Sequence, residues 1–473
     1  MCAIFGAVAK KANLDLIDEV IFGLSRLQHR GEESAGVVYS DGKQVWIHKK
    51  YGLVSQIFTP DKIAEIKSRQ PSMIIGQTHY STSGNKTERN IPPQWIEPSR
   101  GRLGMVHNGN IPGLEQKKKE LELASKGEVR FDYNSLELMN DSEFMLKKVY
   151  WLISQNRWDI VEALLNFIQI IPGSYSAALL SQDGVYVFRD TYGNRPLLMV
   201  ETENGIYFGS ESCALQKFDQ AKIRQVRPGE IIQVLPTGMI GSDIIVTAKN
   251  RHLAECIFED IYFARPDSRT FGNQTGYSFR FRLGRELATL APVYHADFVT
   301  YIPESGRPAA EGYAYQLGKP LISVYVRDHY IGRTFICPNP QVREMLAQMK
   351  LSLIPSSVKG KVVVLVDDTI VRGTVIGDRV KELKEIGQAK EVHVRISAPP
   401  TISPCYYGID MKTKEELIAA KILTTDGIRE KIDATSLAYL TLDSLNKVTE
   451  QSGYDPKNKC RGCFTGEYPI PLE

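Results

Sequence analysis

The chain has 473 residues, of which 42% are hydrophobic, and 58 Lys and Arg residues nearly balance 55 Asp and Glu residues. This is the composition of a globular protein of two to four domains, and it excludes a disordered chain, a collagen and a long coiled coil. The formal net charge is only +3 and no basic block stands out, so we expect neither nucleic acid nor a membrane as a partner. No apolar run approaches the roughly 18 residues that indicate a membrane span. No basic residue precedes the short apolar stretch after Met1, so we expect no secretory signal and a cytoplasmic protein.

The first half of the sequence predicts short strands mixed with helices. Short apolar or alternating runs bounded by Gly, Asp, Ser or Lys indicate the strands. Apolar residues at helical spacing in 14–28 predict one helix, and 142–169 predicts two more. Together these elements indicate a two-layered α/β or α+β domain with largely antiparallel sheets. The predicted strands are residues 2–9, 35–40, 44–49, 73–78, 103–107, 174–180, 185–189, 196–200 and 205–209.

The second half changes to a regular alternation of strands and helices, which predicts a parallel sheet with crossover helices. The change follows the turn at 236–238, and we expect two domains, at residues 2–245 and 246–473. The stretch 325–357 is poorly periodic, and a loop of that length is typical of a functional lid. The predicted strands are 298–302, 321–326, 361–366 and 391–397, and the predicted helices are 308–317, 340–349 and 374–386.

Cys2 becomes an amino-terminal nucleophile if Met1 is removed, because its thiol and a free α-amino group then lie on one residue. The amine, with a pKa of roughly 7.7–8.0, can act as the general base for the thiol. Taken alone, Cys2 is more simply interpreted as a small hydrophobic residue that opens a strand. Three further segments change this interpretation: LQHRGEESAG at 27–36, VHNGN at 106–110 and NDSE at 140–143. With Cys2 they resemble the class II glutamine amidotransferases over roughly residues 2–240.

This resemblance implies an Ntn-hydrolase αββα domain with glutaminase activity. It implies that Cys2 is the nucleophile, and that the Asn108 side chain and the Gly109 N–H form the oxyanion hole, where charge develops during acyl transfer. It also implies that Asp141 binds the ammonium group of glutamine and that Arg30 organises the pocket.

One residue departs from the family pattern. In GQTHYSTSG, at 76–84, His79 stands where the family has an Arg that binds the α-carboxylate of glutamine. A guanidinium offers a permanent bidentate charge, whereas an imidazole is only partly charged near neutrality. Glutamine binding is then weaker, or another residue supplies the contact, or His79 is structural in a domain that has lost its glutaminase activity.

A second motif begins at the end of a predicted buried strand. Residues 367–374 read DDTIVRGT and lead into a helix. Carboxylates at the carboxyl end of a strand suit ribose hydroxyls and a Mg²⁺-bound pyrophosphate, and small residues let backbone N–H groups approach a phosphate. An Asp-Asp pair alone is usually a solvated turn, but the whole string resembles the 5-phosphoribosyl 1-pyrophosphate (PRPP) signature of type I phosphoribosyltransferases.

This second resemblance implies one Mg²⁺ per subunit, held by Ser305, Asp367 and Asp368. YFARPDS at 262–268, PESG at 303–306, YIGRTFI at 330–336 and MKL at 349–351 agree with it, whereas VRDHY at 326–330 departs slightly. The residues implied to bind PRPP are Arg333, Lys350, Asp367, Asp368, Arg372, Gly373 and Thr374.

Seven cysteines in this length are too few for a disulfide scaffold. Four of them, Cys256, Cys405, Cys460 and Cys463, resemble the cysteines with which one branch of amidophosphoribosyltransferases binds a [4Fe-4S] cluster. Four thiolates also suit tetrahedral zinc, and bottom-up chemistry alone leaves both metals, or plain structural thiols, open. We interpret Cys213 and Cys337 as packing residues.

Both halves together resemble the amidophosphoribosyltransferase family over nearly the whole chain. The implied reaction transfers ammonia from glutamine to C1 of PRPP, which gives 5-phosphoribosylamine, glutamate and pyrophosphate in the first step of purine synthesis. The resemblance also implies purine nucleotide inhibitors and a homotetramer. Two alternatives stay open: an ammonia-dependent transferase with a degenerate glutaminase domain, and a non-catalytic PRPP-binding regulator.

Overall fold

The computed structural model describes residues 2–11, 16–80, 88–99, 101–131, 140–246, 252–328 and 351–472. Up to Ile245 the chain forms two antiparallel sheets. Their strands are β1 (Ala3–Ala9), β2 (Ser34–Ser40), β3 (Val45–Tyr51), β4 (Met73–His79), β5 (Gln94–Ile96), β6 (Leu103–Asn110), β7 (Ser174–Ser181), β8 (Gly184–Arg189), β9 (Leu198–Glu201), β10 (Gly205–Gly209), β11 (Arg224–Gln225), β12 (Glu230–Val234) and β13 (Ile240–Ile245). One sheet has the order β11-β9-β10-β1-β4-β2-β3 and the other β13-β12-β8-β7-β6-β5.

The two sheets pack face to face because both sides of their strands are apolar. Along β1, Ile4 and Val8 enter the core between the sheets, whereas Ala3, Phe5 and Ala7 face a separate helical layer. This is the two-residue alternation of a strand. The first helical layer contains α1 (Leu16–Arg26), α2 (Val54–Ile57) and α3 (Pro60–Ser68), and the layer on the second sheet contains α4 (Leu114–Ala124), α5 (Asp141–Gln155) and α6 (Ile160–Ile170). The arrangement is the αββα sandwich that the family resemblance implies, and it has four layers where the pattern of apolar residues predicted two.

From residue 252 onward the core is a parallel sheet with the order β15-β18-β19-β20. The strands of this part are β14 (Glu255–Cys256), β15 (Phe298–Tyr301), β16 (Tyr325–Arg327), β17 (Leu351–Leu353), β18 (Val362–Asp367), β19 (Glu391–Ile396), β20 (Ser436–Tyr439) and β21 (Lys459–Cys460). The helices are α7 (Gly276–Leu290), α8 (Arg307–Leu317), α9 (Thr374–Glu385), α10 (Ile418–Lys421), α11 (Thr425–Lys431), α12 (Leu442–Gln451) and α13 (Gly462–Thr465). The predicted mixed α/β class with a parallel sheet is confirmed.

The prediction that residues 321–326 form a full strand of that sheet is wrong. Of 321–326, only Leu321 bridges to Val299, and Tyr325 onward pairs antiparallel with β17 instead. The apolar run misled the prediction because Ile322 and Val326 are 37% and 54% exposed. The predicted helix 340–349 lies outside the described residues. Within the described ranges, no helix is both long and apolar enough to cross a membrane.

Candidate active sites

The residues predicted for glutamine chemistry converge at one edge of the sandwich. Cys2 precedes β1, and β1 pairs with β4 so that Ala3 faces Thr78, which brings Cys2 to the end of β4 that carries His79. Asn108 and Gly109 end β6, and Asp141 begins α5. Residues that lie more than 100 positions apart in the sequence thus share one site.

Cys2 is half-buried, and its thiol lies among the residues that end β4. Burial raises the pKa of this thiol, and hydrogen bonds with the Tyr80 backbone and the Gln77 side chain partly oppose that shift. Gln77 is 1% exposed, and its Oε1 also accepts a hydrogen bond from the His107 backbone at 2.9 Å. Gln77 was not assigned a role from the sequence, although it stands inside the segment that carries His79. It joins Cys2 to β6, the strand that carries Asn108.

Within the described structure, the side-chain amide of Asn108 is buried without a hydrogen-bond partner, which points to a site where a ligand binds. Its side chain is 1% exposed, and among the described residues neither its Nδ2 nor its Oδ1 has a hydrogen-bond partner. A buried amide without a partner costs free energy, so a group that pairs with it is expected to occupy the neighbouring space. Gly109 follows with φ of 149°, and a Cβ there would lie 1.8 Å from the Ser174 carbonyl oxygen. Only glycine fits this turn.

Asp141 faces the same edge. One carboxylate oxygen lies 3.5 Å from His107 Nε2, and the other accepts a hydrogen bond from the Ser142 N–H at 3.0 Å. The hydroxyl of Ser142 lies 2.8 Å from His107 Nδ1, so Asp141, Ser142 and His107 fix one another. His107 is a further member of the site that carried no assigned role in the sequence.

His79 carries no charge at neutral pH. Its pKa is lowered to about 4, chiefly because burial removes the imidazolium from water. Its Nδ1 lies 3.4 Å from the Ser34 hydroxyl. The imidazole therefore cannot supply the permanent charge that the family Arg supplies.

Arg30 lies behind Cys2 rather than in an open pocket. Its guanidinium is fully buried, and Nε donates to the Cys2 carbonyl oxygen at 3.1 Å. Nη1 donates to Glu211 and to Glu259, each at 2.7 Å, and Nη2 donates to Glu259 at 2.6 Å. Glu259 also accepts from Arg195 Nη1 at 3.0 Å. In the described structure Arg30 reaches the site through the Cys2 backbone.

Asp367 and Asp368 end β18 and are both buried. Burial raises the pKa of each carboxyl, and for Asp367 the adjacent Asp368 raises it further. Asp368 is hydrogen bonded to Ser305 and Thr369, and the buried Arg280 acts on it only through its charge. Two buried carboxylates with raised pKa values are what a divalent cation stabilises.

The rest of the phosphate loop follows directly. Gly373 has φ of 82° and precedes α9, whose first residue is Thr374, so backbone N–H groups open towards the space beside the two aspartates. Arg372 is 59% exposed and pairs with Glu416. Arg333 and Lys350 lie outside the described residues.

The two sites lie against each other. Asn110 Nδ2 donates to the Tyr406 carbonyl oxygen at 2.8 Å, and a Cβ on Gly408 would lie 3.1 Å from the Gly109 oxygen. The pKa of the Arg372 guanidinium is raised chiefly by its hydrogen bond to Glu416, and Tyr80 contributes. Tyr80, which is hydrogen bonded to Cys2, therefore also lies near the phosphate loop.

The four cysteines implied as cluster ligands also come together. Strands β14 and β21 pair in parallel with Cys256 opposite Cys460, and the Tyr407 N–H donates to Cys405 Sγ at 3.4 Å. Burial raises the pKa of the thiols of Cys256, Cys460 and Cys463, and charge on the neighbouring cysteines raises each further. Thiols in this state need a cationic centre to ionise together, so the group fits a metal cofactor. Cys213 is buried elsewhere, and Cys337 lies outside the described residues.

Comparison with known proteins agrees with both halves. Residues 84–217 match the family described as glutamine amidotransferase domain. The amidophosphoribosyltransferase of Mus musculus is 36% identical, with 100% of this chain and 98% of the relative covered. That of Methanocaldococcus jannaschii is 37% identical with the same coverage of each.

A solved structure covers the whole chain as well. The glutamine PRPP amidotransferase of B. subtilis complexed with ADP and GMP superimposes with a TM-score of 0.86 and 33% identity, over 100% of this chain and 98% of that one. Fold, motifs and full-length relatives therefore agree, and the chain belongs to the amidophosphoribosyltransferase family.

Proposed function

We propose that this chain transfers ammonia from glutamine to C1 of PRPP, forming 5-phosphoribosylamine, glutamate and pyrophosphate in the first step of purine synthesis. The proposal rests on one observation: two candidate sites lie near each other in one chain. One holds the half-buried Cys2 near Asn108, whose buried side chain has no partner among the described residues, and the other holds a buried aspartate pair at the end of a parallel strand.

In the first site, the Cys2 thiol attacks the glutamine amide carbon, and the freed α-amino group of Cys2 accepts the thiol proton. The developing oxyanion is stabilised by the Asn108 Nδ2 and the Gly109 N–H. The proton passes to the departing nitrogen, ammonia leaves, and water hydrolyses the thioester to glutamate. Asp141 binds the substrate ammonium, and Arg30 holds the Cys2 backbone in place. His79 lies where the α-carboxylate binds but offers a neutral imidazole.

In the second site, the ammonia nitrogen forms a bond to C1 of PRPP as the bond from C1 to the pyrophosphate oxygen breaks. Asp367 and Asp368 bind the ribose hydroxyls and, with Ser305, would hold one Mg²⁺, which when bound neutralises charge on the leaving pyrophosphate. Arg372, Gly373 and Thr374 belong to the phosphate loop and bind the 5-phosphate of PRPP. Arg333 and Lys350, from the stretch 325–357, complete the binding of pyrophosphate.

We assign residues 2–245 to the glutaminase domain and 246–473 to the phosphoribosyltransferase domain. This division is supported by the two-sheet sandwich that ends at Ile245 and the parallel sheet that follows. By its resemblance to the family, the enzyme is a cytoplasmic homotetramer inhibited by purine nucleotides. The structure solved with ADP and GMP supports the nucleotide part of this proposal.

The four cysteines hold one [4Fe-4S] cluster per subunit rather than zinc. The four thiols would suit either metal centre, and the resemblance to the iron–sulfur branch of the family favours the cluster. Iron and sulfide analysis of anaerobically purified protein tests this, and a colourless preparation without iron contradicts it.

A coupled assay of PRPP consumption tests the whole function. Cys2→Ala is expected to abolish glutamine-dependent turnover and to keep the ammonia-dependent reaction, whereas Asp367→Asn is expected to abolish both. Cys213→Ala, which removes a different thiol, is the matched control and should keep both. Wild-type protein that uses only ammonia would favour a degenerate glutaminase domain, a reading that the neutral His79 supports. Protein that binds PRPP without consuming it would favour a regulator.

A further inference from the structure

A second cluster of metal-binding side chains lies at the opposite end of the parallel sheet from the phosphate loop. It contains His295, in the connection between α7 and β15, and Glu391 and His393 of β19. Both imidazole Nε2 atoms point at one carboxylate oxygen, Glu391 Oε2, at 3.1 Å for His295 and 3.0 Å for His393. The two rings lie 5.3 Å apart and nearly perpendicular. Among the described residues, no other three His, Cys, Asp or Glu side chains converge this closely.

These distances suit ligands of a single ion. With metal–nitrogen bonds of about 2.0–2.1 Å and metal–oxygen bonds of about 2.0–2.2 Å, neighbouring ligand atoms lie about 2.9–3.4 Å apart. Two imidazoles and one carboxylate are typical ligands of zinc, nickel, cobalt and iron, whereas magnesium and calcium prefer oxygen ligands alone. The donor set therefore points to a divalent transition metal.

A supporting residue holds one of the imidazoles in the orientation that a metal needs. His393 Nδ1 lies 2.8 Å from the Ser436 hydroxyl, which also accepts a hydrogen bond from Arg395 Nη1 at 3.0 Å. A metal-binding histidine is usually fixed through its other ring nitrogen in this way. The His393 side chain is 8% exposed and that of His295 is 64% exposed, so the cluster is anchored on one side and open to solvent on the other.

The cluster is separate from both sites described above. In the register of β18 and β19, Glu391 pairs with Val362, and the far end pairs Asp367 with Ile396. Five residues of strand, at about 3.3 Å each, span about 16 Å. None of the four cysteines, the aspartate pair or the residues around Cys2 belongs to it.

We propose that His295, Glu391 and His393 bind one divalent ion of the zinc, cobalt or nickel class, and that this ion ties the connection before β15 to the start of β19. The remaining coordination positions are taken by water on the exposed side. The ion has a structural role, since its ligands lie about 16 Å along the strands from the aspartate pair.

The test uses Co²⁺ with the full chain, purified anaerobically so that the four cysteines hold their own cofactor. Wild-type protein is expected to bind one further Co²⁺, with visible d–d bands but without the intense near-ultraviolet absorption of a cobalt–thiolate bond. Its melting temperature should rise with added metal. Glu391→Gln and His295→Gln should each weaken binding at least tenfold, and Ser436→Ala, which keeps all three ligands, should weaken it about 10–100-fold.

His252→Gln, which removes an exposed histidine elsewhere, is the control and should bind like wild type. Because His295 is largely exposed, its substitution should leave the melting temperature without metal unchanged, so weaker binding cannot be attributed to misfolding. The proposal is overturned if Glu391→Gln and His295→Gln bind Co²⁺ as wild type does. It is also overturned if wild type binds no further ion, in which case the three side chains form only an ion-pair cluster.

Discussion

The guanidinium of Arg30 donates two hydrogen bonds, of 2.7 and 2.6 Å, to the carboxylate of Glu259. Arg30 belongs to the sandwich that carries Cys2, and Glu259 precedes the segment 262–268 of the other half. Both side chains are fully buried, and Nε of the same guanidinium donates to the Cys2 carbonyl. A single arginine thus fixes the backbone of the nucleophile and joins the two halves of the enzyme.

The first prediction concerns the stability of this contact. Glu259→Gln leaves Arg30 and Arg195 buried without one of their carboxylates, so we expect the free energy of unfolding to fall by about 3–5 kcal/mol. Chemical denaturation monitored by circular dichroism measures it. Glu201→Gln removes a surface partner of Lys10 and should cost about 0–1 kcal/mol. Equal losses in the two variants would show that the buried network contributes nothing special.

The stability of the buried ion-pair network is expected to depend on pH in the acidic range. Burial alone would raise the pKa of Glu211 and of Glu259, but His29 and Arg30 outweigh it for Glu211, and Arg30 and Arg195 for Glu259, so both pKa values are lowered. The stability that these carboxylates contribute is fully present above the unfolded pKa of about 4.3 and is lost as the pH falls below it. We expect Glu259→Gln to unfold with a shallower dependence on pH below that value. An unchanged slope would contradict the lowered pKa of Glu259.

The third prediction concerns the oxyanion hole. Asn108→Ala removes the amide that has no partner in the described structure, so glutamine-dependent kcat should fall about 10²–10³-fold with little change in KM. Ammonia-dependent turnover of the same preparation is the internal control and should stay within twofold of wild type. A rise in glutamine KM with unchanged kcat would assign Asn108 to substrate binding instead.

The fourth prediction concerns His79. Because its pKa is about 4, its imidazole stays neutral between pH 6 and 8, and its titration should not alter glutamine affinity there. His79→Arg restores a charged, bidentate donor, and a hydrogen bond to a charged group contributes about 1.5–3 kcal/mol. The glutamine KM should therefore fall at least tenfold, whereas the PRPP KM should not change. His79→Gln is the neutral control. If His79→Arg leaves the glutamine KM unchanged, another residue already binds the carboxylate.

Short strings in the sequence carried the family resemblance from which the chemistry was predicted. Asn108 with Gly109 and Asp367 with Asp368 lie at the carboxyl ends of strands, and Cys2 directly precedes a strand. The period of apolar residues predicted two layers where the sandwich has four, but it predicted the individual strands and helices. These features depend on neighbours within about ten residues.

The contacts between residues far apart in the sequence could not be predicted. Arg30 meets Glu211 and Glu259 across 181 and 229 residues, and no local pattern links them. The cluster of His295, Glu391 and His393 is likewise created by strand order, which brings residues 96 apart into contact. The strand predicted at 321–326 failed because an apolar run does not reveal whether its partner covers it. Such relations follow only from the folded chain.

The central claim is that one nitrogen atom passes between two sites of this chain, and an isotope competition experiment tests it most directly. Glutamine labelled with ¹⁵N in the side-chain amide is supplied with PRPP and an excess of unlabelled ammonium, and the phosphoribosylamine, trapped by an enzyme that consumes it, is analysed by mass spectrometry. We predict that most of the product carries ¹⁵N, because ammonia moves from the Cys2 site to the aspartate pair without reaching solvent. A product whose label matches the mixed ammonium pool, or an unlabelled product, would contradict the account.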